Sequence, residues 1–171
     1  MYYVKSDKIN VFPLSKNRLS NEGYNSRALL ESRIANTIRQ LIDVSGFVIS
    51  DNVNVSVGSN NLLTFNDPFL VNLYGYFIEI EKDASITITE NSSAVWMCLT
   101  TDINGEITGQ DNTGTGEYEG IKFTTDEVET DTSTAKLKIL EKTSGVWNIP
   151  NPSKTRFSVS SVIIDRIDGK H

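Results

Sequence analysis

The sequence predicts a mainly β protein, in which an N-terminal extended arm and one amphipathic helix precede an antiparallel β-sandwich or barrel-like domain. Three observations carry this expectation. From Phe47 onward, apolar and polar residues alternate with a period of two in one short segment after another. Turn-rich stretches separate those segments, as Gly58-Ser59-Asn60-Asn61, Asn66-Asp67-Pro68, Asn104-Gly105 and residues 148–153 do. Only one stretch has a strong helical period, so alternating βαβ units are not expected. The division falls at 46/47, with arm and helix over 1–46 and the β-rich domain over 47–171.

The arm comes first. Residues 1–25 are polar and contain Ile9-Asn10-Val11-Phe12-Pro13. Pro13 and the Asn-Glu-Gly at 21–23 keep helix out of them. Such an arm cannot bury enough of itself to fold alone. It is expected to lie on its own β-domain or on a neighbouring subunit. The helix runs over residues 30–43. Ile34, Ile38, Leu41 and Ile42 fall at i, i+4, i+7 and i+8, one apolar stripe expected to pack on the β-domain. Ser26 is a candidate N-terminal cap, and Gly46 stands where a left-handed C-terminal residue is expected.

The strands follow in order. Val53, Val55 and Val57 alternate with Asn54 and Ser56. Over 73–81, Tyr74, Tyr76, Ile78 and Ile80 share one face. Ile86 and Ile88 alternate with hydroxyl residues, and Val95 to Thr101 reads as a central strand, apolar on both faces. Ile121/Phe123, Leu137/Ile139 and Phe157/Val159 mark further strands, the last running on into Val162-Ile163-Ile164. Residues 108–119 are the best candidate loop, and 126–133 form a second, acidic and Thr-rich connection.

Composition bounds the function. The chain has 171 residues, 38% hydrophobic and 22% charged, long enough for a real core in one domain plus an appendage. No apolar run is long enough to span a bilayer. The first residues, Met-Tyr-Tyr-Val-Lys-Ser-Asp-Lys, do not read as a secretory signal. A net charge of −6 argues against nucleic acid as the main partner. The charge is unevenly spread. Residues 1–42 carry seven basic and three acidic side chains, a net of +4, and the remainder carries nine basic and nineteen acidic, a net of −10. A basic head and an acidic body attract each other within a chain or between subunits.

Catalytic chemistry finds little support. The one histidine, His171, is the final residue, where a Ser-His-Asp, Cys-His or zinc site is hard to build. The single cysteine, Cys98, sits in an apolar strand and reads as a buried structural thiol. Asp102-Ile103-Asn104-Gly105-Glu106 places its glycine too early for a calcium loop and reads as a tight hairpin turn. The pairs Glu79/Glu81 and Glu117/Glu119 read as solvated strand edges rather than a glycosidase dyad. The glycines at 105, 109, 114, 116 and 120 match no phosphate-binding motif. The expectation is a non-enzymatic protein without cofactor or metal. Tyr118 and Trp147 are the residues that would face a ligand such as a host-surface glycan, since aromatic faces stack on sugars; core packing is the competing reading for Trp147.

The run Ile9-Asn10-Val11-Phe12-Pro13, the helix ending Ile38-Arg39-Gln40-Leu41-Ile42-Asp43, and Gly46-Phe47-Val48-Ile49-Ser50 together resemble the N-terminal region of small virion proteins of tailed bacteriophages. Leu73-Tyr74-Gly75-Tyr76-Phe77-Ile78 is similar to the glycine-containing strand that follows that opening. The likeness is clearest over residues 9–50. It implies a structural subunit of the tail, baseplate or neck, or a fibre-attachment adaptor, made in the bacterial cytoplasm and located in the virion. It implies partners among other virion subunits and copies of the same chain, in a symmetric oligomer, and no active site. Ile9, Val11, Phe12, Leu14 and Arg18 are then the expected assembly residues of the arm. The alternative is a receptor- or glycan-binding module of a phage fibre or head fibre.

Overall fold

Alternation decides where the strands run. The computed structural model describes residues 8–12, 32–41, 46–108, 120–125 and 133–150, with the side chains of Asn10 and Phe12 outside that description. The strands are β1 (Ile9–Phe12), β2 (Gly46–Val48), β3 (Val55–Val57), β4 (Leu62–Phe65), β5 (Phe69–Leu73), β6 (Tyr76–Ile80), β7 (Ser85–Thr87), β8 (Ala94–Leu99), β9 (Ile121–Thr124), β10 (Ala135–Thr143) and β11 (Val146–Asn148). The helix α1 covers 32–41. The strands form three open antiparallel sheets, ordered β1-β6-β5-β2, β11-β10-β8-β9 and β3-β4-β7. The described residues are therefore mainly β with one helix, as expected, and no described sheet closes into a barrel.

One core joins the three sheets. Tyr76, Ile78 and Ile80 of β6 enter it alongside Phe69, Val71 and Leu73 of β5, while Phe77 and Glu79 face the other way, half-buried. From the second sheet come Val95, Met97 and Leu99 of β8 with Ile121 and Phe123 of β9. The register of β10 on β8 shifts between Lys138 and Leu140, so that Ile139 and Leu140 are both buried. A bulge of this kind re-aims one residue and bends the strand. Cys98 is buried.

The arm contributes to this core. β1 pairs antiparallel with β6, placing Ile9 beside Ile80 and Val11 beside Ile78. Ile9 is 0% exposed, and Val11 is buried too. The first sheet therefore spans the expected division at 46/47, taking one edge strand, β1, from the arm, while β2 straddles the boundary.

Turns set the register. Tyr74 and Gly75 have φ of 54° and 86°, which makes a two-residue type I′ hairpin between β5 and β6. The run over 73–81 is thus not one strand, and Tyr74 does not share a face with Tyr76. Ser144 and Gly145, at 52° and 84°, do the same between β10 and β11. The expected turn at Asn104-Gly105 is present. The Gly105 amide donates to the Asp102 carbonyl at 3.1 Å, and the Asp102 amide donates to the Glu106 carbonyl at 2.9 Å.

Two expectations about the helix are corrected. Gly46 is not a left-handed cap; it opens β2, where a Cβ would stand 2.9 Å from Cδ1 of Leu73. The apolar stripe of α1 does not face the body. Ile34 is 38% exposed, Leu41 is 44% exposed and Ile38 is half-buried. The buried face is Ser32 and Ala35 instead. Small residues win that face because α1 approaches the Tyr74-Gly75 turn very closely. A Cβ on Gly75 would collide with the carbonyl oxygen of Ala35, so the helix backbone lies against the turn and leaves no room for a large side chain between them. Ile42, the strand expected over 157–164 and the segments 109–119 and 126–132 lie outside the described residues.

Candidate functional site

The end of the molecule built around the β5–β6 turn gathers the features best suited to recognition. Two contacts of α1 with this turn can be described. Ala35 packs its backbone on Gly75. Arg39 lays its guanidinium over the Tyr74 ring, 3.6 Å from the centroid, and donates to the Tyr74 carbonyl at 3.3 Å. A second arginine N–H donates to Oδ1 of Asn36 on the same helix. A planar cation stacked on a ring and bonded to backbone fixes both partners. With its small-residue face against the turn, α1 turns Ile34 and Leu41 outward, and exposed Arg33 stands further round on the side away from the body.

From the same turn the next residue, Tyr76, reaches through the core to the hairpin at 102–106. Its ring is fully buried and its hydroxyl donates to the Gly105 carbonyl at 2.7 Å. The hairpin is stiffened from within. Oδ1 of Asp102 accepts the amides of Asn104 at 2.8 Å and Glu106 at 3.0 Å. Gly105 takes φ of 79° in open space, a left-handed position that glycine adopts without strain. Ile103, at the tip, is 100% exposed. The Asp102 carboxylate is thus employed as a turn cap, in keeping with the hairpin reading. Among the described residues no group of three or more His, Cys, Asp or Glu side chains is placed to hold a metal ion.

A second feature lies elsewhere. A groove of about 410 Å³ separates the edge strands β3 and β11, with Val53, Val55 and Val57 on one wall and Lys142, Val146 and Trp147 on the other. Trp147 is only 9% exposed, Lys142 stands 5.8 Å from its ring centroid, and its Nε1–H has no hydrogen-bond partner. A ring so covered presents too little face for a sugar to stack on. Trp147 is thus mostly packed, and what remains of its surface lines the groove. A third surface is the outer face of the second sheet. There Lys122 and Lys136 flank Cys98 in register, and Lys138 stands 5.4 Å from the Trp96 ring while ion-paired to Glu141 at 3.9 Å.

The remaining expected site residues divide as follows. Ile9 and Val11 are inside the chain's own core, so their side chains cannot grip a neighbour; they anchor the arm at home. Phe12 pairs its backbone with Phe77, and its side chain is not described. Leu14, Arg18 and Tyr118 lie outside the described residues, as do Glu117 and Glu119. The site residues that sequence reasoning missed are Ile103, Arg39 with Tyr74, and the outward direction of Ile34 and Leu41. Ile103 carried a signal, since a β-branched apolar residue is out of place between an aspartate and Asn-Gly in a turn. Among the described residues no helix is long and apolar enough to cross a membrane. No protein-family model matches this sequence, and no curated protein or solved structure matches it either.

Proposed function

We propose that the chain is a non-enzymatic structural subunit of a tailed-bacteriophage virion, a component of the tail or baseplate or a fibre-attachment adaptor, which assembles through its N-terminal region. The observation that carries this reading is how that region is used. Its first strand, β1, is stitched to the edge of a body sheet by two core residues, and its helix then turns an apolar stripe outward. An N-terminal region serving only to complete the fold would spend that stripe on the core. Here the anchoring and the presenting residues are different ones. Ile9 and Val11 hold the arm, which leaves Leu14, Arg18 and α1 for partners among other virion subunits and copies of the chain. The resemblance of residues 9–50 to the opening segments of small phage virion proteins supports the same assignment. The glycan-binding alternative loses its best platform with the burial of Trp147.

The test is mass spectrometry of particles purified from a lysate of the phage that encodes the chain. The expected result is the chain as a constant, stoichiometric part of the virion, resistant to high-salt washing. Its absence from the particles would remove this function. A Leu14→Asp/Arg18→Glu variant, which leaves β1 untouched, is expected to fold normally and to incorporate poorly.

A further inference from the structure

We infer that two copies of this chain pair about a two-fold axis, the Ile103 hairpin tip of each copy seated on the Ile34/Ile38/Leu41 stripe of the other. The inference rests on the assembly reading above and goes further, naming a second copy as the partner and giving its surface.

The two halves of the contact differ in form and match in chemistry. Ile103 is a fully exposed branched side chain on a hairpin that cannot easily yield. Asp102 fixes the tip from inside, and the buried Tyr76 hydroxyl fixes its base. A knob ordered before binding loses little conformational freedom when it docks. The α1 stripe is the complementary half, since Ile34 and Leu41 stand apart along one face with half-buried Ile38 between them. Neither half satisfies the other within one chain, because Ile103 touches nothing there.

Charge selects the partner. Asp102 is exposed beside the tip and Glu106 is half-buried, while exposed Arg33 flanks the stripe. The pairing brings the carboxylate side of one copy to the arginine side of the other. It repeats locally the +4 of residues 1–42 against the −10 of the remainder.

Geometry selects the symmetry. Both halves depend on consecutive residues of one turn. Gly75 carries α1, and Tyr76 carries the hairpin. Knob and stripe therefore lie at the same end of the molecule. Two copies that exchange them make the same contact twice, which is the self-complementary arrangement of a closed dimer rather than an open chain.

The test is sedimentation velocity of the full chain over a range of concentrations, beside two single variants, Ile103→Asp and Ile34→Asp. The expected result is a monomer–dimer equilibrium that each variant weakens at least about tenfold. At concentrations where wild type and variants are all monomeric, circular dichroism and the unfolding midpoint should be closely similar, because Ile103 is fully exposed and Ile34 lies on the outward side of α1. Added salt should weaken the wild-type dimer. The double variant Ile34→Cys/Ile103→Cys is expected to give a covalent dimer on mild oxidation, whereas each single variant should give at most a small amount. A wild-type chain that stays monomeric at every concentration overturns the inference. So does a dimer indifferent to both aspartates, or a disulfide that closes within one chain because the chain's own residues cover the stripe. Presence of a monomeric chain in the virion would overturn the dimer and leave the proposed function standing; a dimer absent from the virion would do the reverse.

Discussion

Replacing Ile9 by alanine distinguishes an arm that belongs to its own body from one that merely rests there. Ile9 is 0% exposed, pairs with Ile80 across the β1–β6 ladder and belongs to the common core. The substitution removes three buried carbons, worth about 2.4 kcal/mol at about 0.8 kcal/mol each. The hole left behind raises the loss to about 3–4 kcal/mol if the core does not collapse around it. Val11→Ala, which removes two carbons at a slightly exposed site, should cost about 2 kcal/mol. With a urea m-value of about 2 kcal/mol/M, the Ile9 variant should unfold about 1.5–2 M earlier than wild type. One competing event caps the effect. β1 is an edge strand of four residues, and it can peel from β6 without global unfolding. If peeling is easier than the cost of the cavity, the midpoint shift is smaller and the loss appears as local opening. Hydrogen exchange of the paired amides at 9–12 and 77–80 separates the cases, since peeling deprotects them while the rest of β5 and β8 stays protected. A midpoint within about 0.25 M of wild type, with unchanged protection in β1 and β6, would refute the placement of Ile9 in the core.

Four more substitutions test the end of the molecule around the turn. Gly75→Ala and Gly105→Ala both force a side chain into a left-handed position, at about 1–2 kcal/mol each. Only at Gly75 does the new Cβ meet Ala35, so Gly75→Ala should be the more destabilising by at least about 1 kcal/mol and should reduce helical ellipticity, which Gly105→Ala should not. Tyr76→Phe deletes the bond to the Gly105 carbonyl and should cost about 1–2 kcal/mol in chemical denaturation, with faster amide exchange at residues 102–106. Arg39→Lys keeps the charge but loses the planar stack on Tyr74; a loss of about 1 kcal/mol, read in the same unfolding experiment, is expected, and equality with wild type would show that the stack adds nothing.

Most of the strand pattern was legible because half-buried strands write themselves as alternation. β3, β7, β9 and β10 fall where the period-two runs fall, and β8 is the central strand its two-sided apolar character demanded. Three strands were harder. β4 and β5 are short apolar runs beside strong turn signals, without an alternation to mark them; β11 is only three residues long, and its last residue, Asn148, opens a turn-rich stretch. The Tyr74-Gly75 hairpin misled for a different reason. Tyrosine rarely takes positive φ, so nothing at position 74 announces a type I′ turn. The close contact with Ala35 favours it over a continuous strand, and that contact is tertiary. The candidate site was legible only in pieces. The helix and the hairpin turn were both expected; their meeting at one end, through Gly75 and Tyr76, depends on the pairing of β5 with β6.

The helix shows why direction is the missing quantity. A stripe of period 3.6 specifies that something apolar lies against it, but not which chain supplies the cover. In α1 the contest for the body-facing side is decided by proximity, because only small residues tolerate a carbonyl so close to Gly75. The large residues are then left outside. A helix of about ten residues is marginal in water on its own, and the Ala35 approach and the Arg39–Tyr74 stack help to secure α1 to the body. Covering Ile34 and Leu41 with a partner therefore does two things at once. It buries the apolar surface that the body cannot reach, and by mass action it stabilises the helix in the orientation that presents Arg33. Assembly and local folding of the N-terminal region are on this account a single equilibrium, with β1 as the fixed point that keeps the region attached when no partner is bound.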